Sequence, residues 1–335
     1  MLIKVEEKHK SILKILFIFI VSLILVLQFR KLFHDFDLKI FYGYREKLTI
    51  LTLSYITILG IFAYLPLSLY DFVIKETCEI KLDNKKLYKS SWIASSISSI
   101  IGFGGTAAIA LKSYLYSPYI KDKTTLVKEV SKVVLLNFTG FSTLCLLYSI
   151  FYSRNINFYN PVNIGILLAG LYTPILLIYN LIKLKKNREK NYFKTIKIML
   201  LSIIEWTTMA FLLFSILRVL GAEITLTKVF PIYVVSTAIG IVSMMPGGLG
   251  GFDLSFIIGL TNLGINKEEV LLALLLYRIS YYIVPLTVGI FLIINEVKIK
   301  VNKGYIEAIA FCFKKAGSRI NLIIKGIISK KERQN

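Results

Sequence analysis

Pro246-Gly247-Gly248-Leu249-Gly250-Gly251-Phe252-Asp253 interrupts an apolar run that begins at Val229. Proline and clustered glycine break the helical hydrogen-bond ladder. A broken backbone at membrane depth is tolerated only where it is buried in protein or lines a wet cavity. A second break of the same kind lies about 145 residues upstream, where Trp92–Leu111 reads Ser-Ser-Ile-Ser-Ser and then Gly102-Phe103-Gly104-Gly105. Two such segments predict two helical hairpins that dip into a membrane and return. One turns at Gly102, Gly104 and Gly105, the other at Pro246, Gly247, Gly248, Gly250 and Gly251. Two kinked full crossings would share this composition, because glycine is frequent in membrane helices.

The rest of the chain fits a membrane setting. Of its 335 residues 56% are hydrophobic and only 18% charged, whereas soluble domains run at about 25% charged. The formal net charge of +21 would suit nucleic acid, but here the charges alternate with apolar runs of bilayer-spanning length. That excludes an ordinary soluble enzyme, a disordered basic protein and a nucleic-acid partner. Clean runs occupy Ile15–Leu27, Leu48–Leu69, Val133–Ser153, Val162–Ile182, Ile198–Leu217 and Val270–Asn295. The expected fold is therefore an all-α polytopic membrane protein with about six full transmembrane helices plus the two re-entrant hairpins.

Loop charge sets the expected orientation. The loop 183–197 holds seven basic residues and the segment after Glu296 holds ten, against one each in 154–162 and 219–229. The basic loops are placed in the cytoplasm, with both termini inside. One loop conflicts: residues 28–47 carry five basic residues yet fall on the outside. Six crossings return the chain to its starting side only if each hairpin enters and leaves on one face. The hairpins then enter from opposite faces, as an inverted repeat would place them.

Ionisable side chains at membrane depth are costly and mark function or pairing. Five need an explanation: Asp71, Lys112, Glu205, Asp253 and Arg278. Asp71 and Lys112 also suit interfacial snorkelling, Asp253 a helix cap, and Glu205 with Arg278 a structural salt bridge. Arg278 shares a helix face with Tyr281 and Tyr282. Carboxylates together with anion-binding groups along one route suit a zwitterionic or amine-bearing phospholipid. In that reading Asp71, Glu205 and Asp253 guide the cationic headgroup while Lys112 and Arg278 hold its phosphate. The chain has no P-loop, no His-Glu-x-x-His and no Gly-x-Ser-x-Gly, and its histidines, His9 and His34, lie outside the spans. Cys78, Cys145 and Cys312 form no metal-type pair. No catalytic residue, cofactor or metal is expected.

Several of these stretches resemble the bacterial lysylphosphatidylglycerol synthase/flippase family, also called multiple peptide resistance factor. They are Leu69-Tyr70-Asp71, Ser91-Trp92-Ile93-Ala94 through Gly105 with Ala110-Leu111-Lys112, Ile204-Glu205-Trp206, Pro246 through Leu254, and Leu275-Leu276-Tyr277-Arg278 with Tyr281-Tyr282. The match runs over roughly residues 10–300. The resemblance implies a flippase membrane domain that carries lysyl- or alanyl-phosphatidylglycerol to the outer leaflet, giving resistance to cationic antimicrobial peptides. It places the family's functional positions on Asp71, Glu205, Pro246, Gly248 and Asp253. The family's arginine after the first hairpin is Lys112 here, which keeps the charge but loses the bidentate fork. Full-length members also carry a cytosolic aminoacyltransferase domain. A chain ending at Asn335 is expected to lack it, despite the family name of phosphatidylglycerol lysyltransferase, and so to make no aminoacyl lipid itself.

Residues 1–300 are thus read as the integral membrane domain and 301–335 as a basic amphipathic cytoplasmic tail. The expected setting is the bacterial cell membrane, with phospholipid, a separate synthase and a second copy of the chain as partners. A non-transporting scaffold for a lipid- or glycan-modifying enzyme is the competing function.

Overall fold

The computed structural model describes residues 43–44, 47–101, 105–152, 160–184, 189–243, 246–248 and 250–299. The first apolar run, the tail 301–335, Gly102 and Gly104 lie outside these residues. Among the described residues every regular element is helical. In order they are α1 (Ile50–Cys78), α2 (Asn84–Ile101), α3 (Thr106–Tyr116), α4 (Lys123–Phe151), α5 (Pro161–Gly170), α6 (Tyr172–Leu184), α7 (Glu189–Leu220), α8 (Leu226–Val242), α9 (Gly251–Thr261), α10 (Lys267–Arg278) and α11 (Val284–Ile299).

Five segments are long and apolar enough to cross a membrane: Ile50–Cys78, Lys123–Phe151, Pro161–Ile182, Tyr192–Leu220 and Lys267–Leu292. They contain or overlap five of the six expected spans. The sixth, Ile15–Leu27, falls on undescribed residues. Helices outrun the apolar runs where polar turns continue them. α4 starts at Lys123 because Asp122 caps it, its Oδ1 accepting from the backbone N–H of Thr124 at 2.9 Å and of Thr125 at 3.2 Å.

Contacts between helix ends sort the helices into two ends of one bundle. At one end Lys194 donates to the Glu76 carbonyl at 3.1 Å, Lys197 pairs with Glu76 at 3.4 Å, and the Lys81 N–H reaches the Tyr119 carbonyl at 3.2 Å. At the other end Lys47 donates to the Leu220 carbonyl at 2.7 Å and the Tyr152 hydroxyl to the Thr227 carbonyl. Lys47 therefore sits at the end that carries the 219–229 loop, where the 28–47 loop was expected despite its charge. The pair α2–α3 opens at the first end and the pair α8–α9 at the second.

Each pair is a hairpin, not a kinked crossing. Along α8 and α9 the close approaches run antiparallel. A Cβ on Gly240 would lie 3.0 Å from the Phe252 Cβ, one on Gly251 3.0 Å from the Ser243 Cβ, and one on Gly259 2.6 Å from the Ile232 Cγ2. The turn between them uses left-handed backbone at Gly247 (φ 59°), Gly248 (φ 68°) and Gly250 (φ 87°), which glycine adopts without a Cβ clash. In the first hairpin Ala94 of α2 packs against Leu111 of α3, and Gly105 caps α3 at φ 83°. α2 touches the Pro246–Gly248 turn, so the two hairpins meet inside the bundle.

Between α10 and α11 the chain makes a π turn, Ile279–Ile283. Pro285 has no N–H to return to the carbonyl four residues earlier, which favours the wider turn there. Its own carbonyl accepts from the Trp92 indole at 2.9 Å, tying the last helix to the first hairpin.

Candidate functional site

A cavity of about 330 Å³ occupies the space where the hairpins meet. Both hairpins line it, through Ser95, Gly105 and Lys112 on one side and Gly240, Gly247 and Gly248 on the other. Long helices supply Tyr70, Asn137, Glu205 and Arg278. Among the described residues no cluster of His, Cys, Asp and Glu could hold a metal ion.

Glu205 on α7 is 3% exposed and has no cation within ion-pair distance among the described residues. Tyr70 of α1 donates its hydroxyl to Glu205 Oε2 at 2.7 Å, and Asn137 of α4 donates Nδ2 to the same oxygen at 2.6 Å. Asn137 also reaches the Tyr70 hydroxyl at 3.0 Å. Oε1 takes neither bond. Asn137 is itself fixed, because its carbonyl accepts from the Trp206 indole at 2.9 Å and the Ser202 hydroxyl at 2.5 Å. A carboxylate placed this way is positioned by neutral donors, and its charge remains available to a ligand.

The other four charges form two buried pairs. Lys112 of α3 donates to Asp71 Oδ1 at 2.7 Å, and the Tyr116 hydroxyl donates to Asp71 Oδ2 at 2.5 Å. Arg278 donates through Nη2 to Asp253 Oδ1 at 2.8 Å and through Nη1 to the Gly247 carbonyl at 2.6 Å. Asp253 Oδ2 accepts the Gly250 N–H at 3.0 Å, so the arginine and the aspartate together fasten the glycine turn. Asp253 thus also caps α9, and no pairing joins Glu205 to Arg278. Each pair links the return limb of one hairpin to a neighbouring helix: α3 to α1, and α9 to α10. The signs are opposite, since the return limb carries the cation in the first hairpin and the anion in the second.

Tyr281 and Tyr282 both line the cavity but do different things. The Arg278 guanidinium lies 5.2 Å from the Tyr282 ring centre and 5.7 Å from that of Tyr277. Tyr281 instead stacks on Tyr277 at 5.7 Å and meets Tyr64 edge-on at 5.9 Å. The two tyrosines meet each other edge-on at 5.1 Å, so the side that Arg278, Tyr281 and Tyr282 were expected to share does face one cavity.

Sequence reasoning passed over Tyr116 and Asn137, and quoted Tyr70 only as part of a family-like stretch. Asn137 had a signal, being a primary amide inside an otherwise apolar span; Tyr116 stands one helical turn after Lys112.

The model for the lysylphosphatidylglycerol synthase TM region matches residues 11–289. The chain is 28% identical over 302 residues to the phosphatidylglycerol lysyltransferase of Bacillus subtilis (strain 168), covering 86% of this chain and 34% of that protein. It is 31% identical over 234 residues to that of Staphylococcus haemolyticus (strain JCSC1435), covering 69% and 28%. With Staphylococcus aureus (strain MRSA252) the identity is 29% over 294 residues, again 86% and 34%. The chain thus spans about a third of the length of these relatives. On a match that takes in both hairpins and every charge of the cavity, the chain belongs to the lysylphosphatidylglycerol synthase TM region family.

Proposed function

We propose that this protein is a flippase-type membrane protein that moves lysyl- or alanyl-phosphatidylglycerol, or a related amine-bearing phospholipid, to the outer leaflet. One observation carries the reading. A cavity between two hairpins that open at opposite ends holds a carboxylate, Glu205, that is ion-paired to no cation among the described residues. A carboxylate held only by neutral donors offers a cation a place to bind. An aminoacylated headgroup brings an ammonium, whereas phosphatidylglycerol, named in the relatives' activity, brings only negative charge. Moving that ammonium to the cell surface would repel cationic antimicrobial peptides. A separate synthase would supply the lipid, and a second copy of the chain is a further candidate partner.

The test is reconstitution in vesicles, with translocation read as headgroup accessible from the opposite leaflet. Lysyl-phosphatidylglycerol should cross faster than in protein-free vesicles, and phosphatidylglycerol should not. Equal rates with and without protein for every aminoacyl lipid would leave the scaffold reading in its place.

The proposed orientation puts the end bearing Lys81, Lys121 and Lys194 on the cytoplasmic side of a bacterial cell membrane, because the loop 183–197 with its seven Lys/Arg belongs to that end and outweighs the five of 28–47 opposite. Glu223 and Lys121 are exposed at opposite ends. In a Cys312-replaced background, Glu223→Cys should react with an impermeant thiol reagent added to intact cells, and Lys121→Cys only after lysis. Cys78 and Cys145 are buried and should not contribute. Reversed labelling would invert the orientation.

A further inference from the structure

We infer that Lys112 and Arg278 form two phosphate-binding stations of the cavity, and that Asp71 and Asp253 are their resident counter-anions, not ligands for a cationic headgroup. The inference rests on reading the cavity as a headgroup site. In both buried pairs it is the cation that lines the cavity; neither aspartate does. Each aspartate stands behind its partner with both oxygens engaged, Asp71 by Lys112 and Tyr116, Asp253 by Arg278 and the Gly250 N–H.

Both cations keep donors in reserve. An ammonium has three N–H groups and a guanidinium five. Lys112 directs one to Asp71. Arg278 spends one N–H of Nη2 on Asp253 and one of Nη1 on Gly247, which leaves a second N–H on each nitrogen. A phosphodiester entering the cavity can therefore add to either cation without first breaking its ion pair. The aspartate weakens that attraction by already neutralising the cation. Lys112 stands on the first hairpin, whereas Arg278 stands on α10 and is fastened to the second hairpin through Gly247 and Asp253, so each hairpin has one station beside it.

This division of labour predicts the opposite sign to a ligand role for the aspartates. Binding of dihexanoyl-phosphatidylglycerol to the purified full chain, measured by calorimetry in detergent, should tighten about tenfold in Asp71→Asn and in Asp253→Asn, as a charge-assisted bond is released to the probe. Weaker or unchanged binding in both would overturn the inference. Single variants leave a cation uncompensated and can fail to fold. The neutral pairs Asp71→Asn/Lys112→Gln and Asp253→Asn/Arg278→Gln leave no charge unpaired. These should bind the probe about tenfold more weakly than the native chain, and native-like binding in both would overturn the inference. Displacement of the probe by inorganic phosphate would extend the stations to soluble phosphate. Its failure to displace would assign them to a lipid diester, and either result supports a phosphate site. Binding is read here without translocation. A chain with this affinity pattern that moves no lipid would keep the inference and remove the proposed function; translocation without the pattern would do the reverse.

Discussion

Glu205→Gln should abolish most lipid translocation while leaving the fold intact. The amide oxygen of glutamine can still accept from the Tyr70 hydroxyl and Asn137 Nδ2, the two donors that now hold Oε2. Because no cation is paired with Glu205 among the described residues, neutralising it strands no opposite charge. The usual penalty for breaking a buried ion pair, on the order of 3–5 kcal/mol, therefore does not arise. What disappears is the attraction for an ammonium, a charge-assisted interaction worth about 1.5–3 kcal/mol, or roughly ten- to a hundredfold in rate or affinity. Thermal melting in detergent and translocation in vesicles are measured on the same preparation. A melting temperature near the native one with translocation lost meets the expectation. Unchanged translocation would remove Glu205 from the transport path, and a collapsed melting temperature would make it a structural residue.

Gly140→Val should be the most damaging single change to the fold. At Gly140 the helices α4 and α7 touch so closely that a Cβ would run into the backbone carbonyl of Ser202 and the Trp206 ring. The contact is also chemical: the Gly140 N–H donates to the Ser202 hydroxyl at 2.7 Å, and that hydroxyl donates to the Asn137 carbonyl. Backbone cannot yield as a flexible side chain can, so the cost should exceed the roughly 1–3 kcal/mol typical of overpacking. Parting α4 from α7 would also carry Asn137 away from Glu205. The expected result is little folded protein on size exclusion, with any folded remainder inactive in translocation. Ser202→Ala, which removes the hydroxyl and keeps the close approach, should fold and lose only part of the activity. Native-like behaviour of Gly140→Val would mean that these helices are not packed as described.

The sequence announced the long helices because a charge-free run of bilayer length has few other uses, and the glycine clusters announced the two hairpins. It also indicated that they open at opposite ends, since the loop charges require an even number of crossings. Which charges join was not legible. Asp71 and Lys112 stand 41 positions apart, and Asp253 and Arg278 25. No helical periodicity connects residues on different elements. Nor does composition say that the aspartates stand behind their cations and out of the cavity, because that depends on the direction in which each helix presents its side chains. Helix beginnings were hidden for a different reason. The first turns of α4 carry Lys128, Glu129 and Lys132, which end an apolar run but continue a capped helix without difficulty.

The shortness of the return limbs has a consequence for where such a protein can work. α3 and α9 have 11 residues each, a rise of about 16 Å, roughly half of a hydrocarbon core about 30 Å thick. Limbs of that length from opposite surfaces just bring their tips together at the midplane. The entry limbs α2 and α8, of 18 and 17 residues, are longer, so each glycine turn is reached by one long limb and one short one. Limb length thus matches this molecule to a hydrocarbon core of one thickness, which acyl-chain length and saturation set.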